Sequence, residues 1–178
     1  MFLAPIVLIL IARPTPRLFW IGLPFVIAGE LIRMWAAGYL SKLRTLVTAG
    51  PFALCRNPLY VGSFLISIGY FFMCNRLDAW IAGVMLFWLF HGGAVVYEER
   101  LLREGFGDRY AEYCNTVPRF FPRPARPRGH GNFTIRQFIL NNEYRGTAAA
   151  IVLSTLFGLM AYHPAFSPFD WLSRTLGR

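Results

Sequence analysis

Five apolar stretches, each bounded by charge or by proline and glycine, constrain this chain more than anything else in its sequence. Four of them, residues 18–40, 58–74, 79–97 and 146–163, are long enough as helices, at ~1.5 Å per residue, to approach the ~30 Å of a bilayer's hydrocarbon core. The fifth is the shorter run FLAPIVLILIA at 2–12. A soluble core has no room for so much apolar surface. Hydrophobic residues make up 56% of the chain and charged ones 15%, against about 25% charged in ordinary soluble domains. The same balance excludes intrinsic disorder, which needs low hydrophobicity. No period-two alternation suggests a membrane barrel, and helices satisfy their own backbone polar groups in lipid. The expected fold is therefore all-α: one integral membrane domain over 1–178, a bundle of about five transmembrane helices.

The punctuation between the stretches sets the topology. Residues 58–74 and 79–97 are separated only by NRLD, so they form an antiparallel hairpin and place 41–57 and 98–145 on one side. Those two segments hold Lys42, Arg44, Arg56, Arg100, Arg103, Arg109, Arg119, Arg123, Arg126, Arg128, Arg136 and Arg145, twelve of the eighteen cations. The positive-inside rule makes that side cytosolic. A net charge of +9 in so apolar a chain belongs against anionic headgroups, so the membrane and not nucleic acid is the expected partner. Within 18–40, Pro24 interrupts the run, while Glu30 and Arg33 share a helix face and are expected to neutralise each other. The N-terminal run lacks a basic leader, and RPTPR stands where a small-residue cleavage site would be, so it reads as a short, retained first helix. PRFFPRPARPRGHG is too rich in Pro and Gly for a helix, and FTIRQFILNNEYR has the spacing of a segment lying flat in the headgroup layer. The chain thus divides into N-terminal helices at 1–47, the hairpin with its polar ends at 48–122, and a basic linker, interfacial segment and last membrane helix at 123–178. Three cysteines without a CxxC pair encode neither a disulfide framework nor a zinc knuckle, and no metal is expected. Seventeen Arg against one Lys favours a GC-rich genome and a bacterial cytoplasmic membrane, with endoplasmic reticulum as the alternative.

Chemistry-bearing residues gather at the cytosolic ends of the hairpin. Arg56 brings a forked donor. Asn57-Pro58 opens the first hairpin helix with Asn at the N-cap and Pro at the first helical position, where free N–H groups and the dipole suit an anion. Tyr60 and Gly62 follow one turn in, an aromatic ring and a bare backbone position where a flat ligand could pack; alternatively, this stretch only caps a membrane helix. At the other end, Glu98 and Glu99 point about 100° apart, so both cannot face lipid cheaply. His91 shares a face with Glu98 two turns away. An intramembrane His is a functional candidate, its alternative being a ring bonded to a neighbouring carbonyl.

The succession GPF…RNPLYVG, an apolar hairpin, then EERLLREGFGDRYAEYCNTVPRFFP resembles the membrane methyltransferases that include isoprenylcysteine carboxyl methyltransferases and phosphatidylethanolamine N-methyltransferases, over roughly residues 48–122. That resemblance implies a bundle with a cytosolic pocket for S-adenosylmethionine and a lipophilic acceptor arriving from the bilayer. It implies that Arg56, Asn57, Pro58, Tyr60, Gly62, Glu98, Glu99 and Arg119 bind the cofactor, with Glu98 and His91 catalytic on the acceptor side. Asn57 stands where the family usually has His. Phe106-Gly107, Tyr110, Tyr113 and Val117-Pro118-Arg119-Phe120 also match. Eukaryotic isoprenylcysteine enzymes resemble one another in an Arg one turn before the Glu pair, where this chain has Ala94; this shifts weight toward an acceptor other than a prenylcysteine carboxylate. The resulting expectation is a membrane S-adenosylmethionine-dependent methyltransferase. Its alternatives are a membrane NADPH-dependent reductase and a non-catalytic scaffold.

Overall fold

In a computed structural model of the protein, the described residues are 3–41, 45–123, 129–163, 166 and 168. Lys42, Arg44, Arg126 and Arg128 of the basic face, the middle of the Pro- and Arg-rich stretch, and most of the tail after Tyr162 lie outside them. All regular structure among the described residues is helical: α1 (Leu3–Ile11), α2 (Pro16–Tyr39), a single 3₁₀ turn (Gly50–Ala53), α3 (Pro58–Cys74), α4 (Leu77–Phe106), α5 (Asp108–Thr116), α6 (Ile135–Leu140) and α7 (Glu143–Tyr162).

Three of these helices, α2, α4 and α7, are long and apolar enough to cross a membrane, and α3 is a shorter apolar helix of 17 residues. Large apolar side chains project outward along them, among them Leu31, Ile81, Met85, Leu89, Phe90 and Ile151. Water would not tolerate such a surface and hydrocarbon does, which makes this an integral membrane protein. Among the described residues three helices have the length of a span, against the expected count of about five. The nine residues of α1 rise only ~14 Å, because the prolines of RPTPR end one helix and begin the next. Pro24 does not end α2, which runs through it. α4 continues well past Tyr97 to Phe106. Nothing in YEERLLREGF opposes a helix, and Arg100 Nε pairs with Glu104 one turn on at 2.8 Å. The helix stops where Gly107 takes φ 51°, a conformation costly for any residue with a Cβ.

The chain forms two compact units that interleave in sequence. One comprises Met1–Ala28, Leu65–Leu86 and Gly146–Arg178, the other Gly29–Phe64 and Phe87–Arg145. In the first unit, Val26, Tyr70, Met73, Cys74, Ala150, Phe157 and Met160 form the core, with the Tyr70 hydroxyl donating to the Ala150 carbonyl at 3.0 Å. Gly22 of α2 meets Gly69 of α3 so closely that a Cβ on either would lie within 2.7 Å of the other's carbonyl oxygen. Small residues at such crossings let membrane helices pack backbone to backbone.

In the second unit, Ala36, Val47 and Phe52 form one cluster, and Leu46, Tyr110, Tyr113 and Val117 another. Arg33 of α2 donates to Glu143 Oε2 at 2.6 Å and to the Ser63 hydroxyl, so its partners extend beyond its own helix to α3 and the start of α7. α6 is lashed to the end of α2: Gln137 Nε2 donates to the Leu40 carbonyl and Asn141 Nδ2 to those of Ala37 and Leu40. These bonds satisfy carbonyls that a helix end leaves open. Ile135, Ile139 and Leu140 stay exposed on α6.

Candidate active site: a buried carboxylate held by two arginines

The loop entering α3 and the segment leaving α5 run side by side in the second unit. Arg56 N–H donates to the Pro118 carbonyl at 2.8 Å, Asn57 N–H to that of Arg119 at 3.2 Å, and Arg123 N–H to that of Leu54 at 3.1 Å. Two blocks some sixty residues apart in sequence are thereby brought to one place, and Glu99 of α4 lies between them. Its Oε1 accepts from Asn57 Nδ2 at 3.0 Å and from Arg119 Nε at 3.1 Å, and its Oε2 from Arg119 Nη2 at 2.6 Å. Arg56 Nη2 stands 3.7 Å from Oε1. Glu99 is 8% exposed and Asn57 7%. A carboxylate so deeply placed is stable only when paired and hydrogen-bonded, and here both oxygens are engaged. The Arg119 guanidinium is correspondingly held above its ordinary value, chiefly by its hydrogen bonds to Glu99.

Of the adjacent carboxylates, the buried one is therefore Glu99, while Glu98 is exposed on a different face of α4. The Tyr60 hydroxyl is turned toward Glu98, and the Tyr60 ring meets His91 edge-on at 5.7 Å. His91 lies against Phe87, ring stacked on ring at 4.2 Å, with Nδ1 3.0 Å from the Phe87 carbonyl. A carbonyl only accepts, so Nδ1 is the donor in this contact, and Nε2 is the nitrogen left for another partner. Phe64, Trp88 and Phe120 extend the aromatic surface. Two groupings result: Arg56, Asn57, Glu99 and Arg119 as a charged knot, and Tyr60, His91 and Glu98 as an aromatic, acidic face.

Pro58 is fully buried at the start of α3 and fixes the helix entry behind Asn57. Gly62 stands apart from both groupings. A Cβ there would come 2.7 Å from the Gly29 carbonyl oxygen and from Arg33 Cγ, so its bare side packs against α2. Among the described residues, no group of three or more His, Cys, Asp or Glu is placed to hold a metal ion.

Tyr110 and Tyr113, matched in the resemblance but assigned no role there, prove central. Tyr110 is 1% exposed, and the Tyr113 hydroxyl donates to the Phe52 carbonyl at 2.6 Å, tying α5 to the loop before the site. The signal for them was their spacing: 110, 113 and 117 recur at helical intervals on one face. Burial raises the titration of both phenols and pushes the neighbouring Cys55 thiol up to about 11. A group whose folded-state pKa is raised contributes stability below its unfolded value and loses it as pH rises through the folded one. Unfolding in detergent should thus become easier between pH 9 and 11, and Cys55→Ala should flatten the early part of that decline. Equal slopes for both proteins would sink the assignment to Cys55.

The chain is similar to several known proteins. The family whose model matches is described as phospholipid methyltransferase, and the match covers residues 19–109, just over half of the chain. A cobalt-zinc-cadmium resistance protein of Cupriavidus metallidurans is 36% identical, over 68% of this chain and 56% of its own length. The protein-S-isoprenylcysteine O-methyltransferase B of Arabidopsis thaliana is 36% identical over 58% of this chain and 60% of its own. The rat protein-S-isoprenylcysteine O-methyltransferase is 36% identical over 57% and 40%. The chain thus spans little more than half the length of the first two relatives, and less of the third. No solved structure matches it. Because the matched region contains both the Arg56–Gly62 block and the Glu98–Glu99 pair, the fold and the family agree on one assignment: the chain belongs to the phospholipid methyltransferase family.

Proposed function

We propose that the protein is a membrane methyltransferase that takes its methyl group from S-adenosylmethionine and transfers it to a lipophilic acceptor, with the site on the cytosolic side. The observation that carries this reading is the buried Glu99 joining Arg56-Asn57 to Arg119. An anchor or scaffold has no use for a desolvated carboxylate of this kind, which is costly to build. The residues also fit the cofactor's chemistry. Arg56 Nε is buried without a hydrogen-bond partner, a donor suited to an anionic group, and Glu98 is exposed and outside every salt bridge found among the described residues, a carboxylate suited to a cationic one.

When bound, the cofactor supplies an electrophilic methyl on a sulfonium. The chain's part is to align the acceptor and exclude water, which for such a displacement supplies much of the rate. Glu99, hydrogen-bonded by Asn57 and Arg119, positions the two arginines at the site. The negative charge of Glu98 favours a cationic partner on its side of α4. If the acceptor arrives protonated, Glu98 or His91 Nε2 can take the proton. The face running His91–Ala94–Glu98 holds no cation, so an amine or thiol suits it better than a carboxylate. Phe64, Trp88 and Phe120 give the acceptor's hydrocarbon part an apolar wall.

Calorimetry on the purified protein in detergent tests the assignment of cofactor. Binding of S-adenosylmethionine and its demethylated product, with none of NADPH, is expected. NADPH binding alone would instead favour the reductase reading.

A further inference from the structure

The two faces of α6 are the reverse of those on a helix that covers a soluble protein. Gln137 and Asn141 turn inward and spend their amides on the Ala37 and Leu40 carbonyls. Beside them, Thr134 N–H donates to the Gly38 carbonyl at 2.9 Å, and the Phe133 ring fills the space that a Cβ at Gly38 would need. At the complementary helical positions stand Ile135, Arg136, Ile139 and Leu140. The three aliphatic side chains among these are each more than half exposed. A helix that spends its polar groups inward and turns its apolar ones outward suits the acyl boundary of a bilayer. Its bonds hold it to the last turn of α2, the level at which that membrane helix leaves the apolar core.

Charge selects the lipid. Glu143 is the one acidic residue between Glu112 and Asp170, and Arg33 engages it at 2.6 Å. Arg136 and Arg145 are exposed and take part in none of the ion pairs found among the described residues. The Arg145 guanidinium stands 5.9 Å from the centre of the exposed Tyr144 ring, an aromatic of the kind that settles at headgroup level. Two uncompensated cations beside aliphatic side chains complement an anionic headgroup above its acyl chains. A zwitterionic headgroup carries its own cation and offers the arginines no net counter-charge. A second copy of the chain, meeting this face with its own, would set like charges together.

We propose that α6 and the start of α7 form a docking surface for anionic phospholipid. Arg136 and Arg145 meet the headgroups, and Ile135, Ile139 and Leu140 enter the acyl boundary beneath them. This surface shares no residue with the Arg56–Glu99–Arg119 knot or with the Tyr60–His91–Glu98 face, so it stands or falls apart from the methyltransferase reading.

The test offers the full chain, immobilised in detergent at low ionic strength, equal amounts of phosphatidylglycerol and phosphatidylcholine, and quantifies the lipid retained after washing. A basic side chain near an anionic headgroup is worth roughly fivefold, so the wild-type protein should prefer phosphatidylglycerol by about 25-fold. Added salt should erode that preference. Arg136→Gln/Arg145→Gln should retain the two lipids about equally. Arg103→Gln/Arg109→Gln, which removes two exposed charges from α4 and α5, should change the preference little. Equal retention of both lipids by the wild-type protein would overturn the proposal, and that comparison needs no variant. An equal fall in the two double variants would overturn it as well, because net charge and not this surface would then attract the lipid. In vesicles containing phosphatidylglycerol, chain-to-chain disulfide formation by Ile139→Cys would give the face to a second copy and likewise overturn it.

Discussion

Replacing Glu99 by glutamine will cost about 3 kcal/mol of stability and weaken cofactor binding roughly a hundredfold. Breaking a buried ion pair by deleting one partner typically costs ~3–5 kcal/mol, because the remaining charge is buried uncompensated. Here Arg56, with its side chain 13% exposed, bears that penalty, while Arg119 is 47% exposed and recovers water; the lower end of the range follows. Glutamine keeps the shape and one acceptor oxygen, but its NH₂ would face Asn57 Nδ2 or Arg119 as donor against donor. The Arg56 and Pro118–Arg119 blocks would lose their common anchor, and a loss of about 3 kcal/mol at the site corresponds to roughly a hundredfold in affinity. Glu98→Gln is the contrast. Its carboxylate is exposed, so the melting temperature should hold while methyl transfer falls. Thermal unfolding and cofactor titration of the two variants would contradict the account if they behaved alike.

A single methyl group at Gly62 or Gly69 will do nearly as much damage to folding. At Gly69 a Cβ would lie 2.7 Å from the Gly22 carbonyl oxygen and 2.6 Å from Val26 Cγ2, and at Gly62 it would lie 2.7 Å from the Gly29 carbonyl oxygen. Side chains can rotate away from such contacts, but helix backbone cannot, so α2 and α3 must separate. Overpacking costs typically ~1–3 kcal/mol, and the backbone contact puts Gly62→Ala and Gly69→Ala at about 2 kcal/mol or more. Gly93 of α4 has nothing within 4 Å of its Cβ position. Gly93→Ala should be neutral or stabilising by up to ~1 kcal/mol through helix propensity. Melting temperatures of the three variants decide it, and a Gly62→Ala protein as stable as Gly93→Ala would refute the packing argument. Gly62→Ala should also weaken the cofactor, since α3 carries Tyr60 and begins directly after Asn57.

The apolar runs made the long helices legible, because their length and hydrophobicity are local properties. The end of α4 was not. Charge in YEERLLREGF marks where a helix leaves hydrocarbon, whereas its backbone stops only at Gly107. Arg33 was read with Glu30 from spacing alone. Its bond to Glu143, 110 residues away, is set by how helices meet, which periodicity does not encode. For Glu98 and Glu99, helix geometry dictated that they face different ways, and only tertiary packing decided which was buried. Gly62 looked like room for a ligand because a missing side chain carries no sign of what occupies its place. For His91, the bonded-carbonyl alternative holds at Nδ1, and that same bond orients the ring and leaves Nε2 available.

The central claim is tested most directly by incubating membranes that contain the protein with S-adenosylmethionine labelled in its methyl group and extracting the lipids. The account predicts label in a lipid-soluble product, sharply reduced in membranes carrying Glu99→Gln. Unlabelled lipid extracts from membranes in which the wild-type protein is folded and binds the cofactor would contradict it.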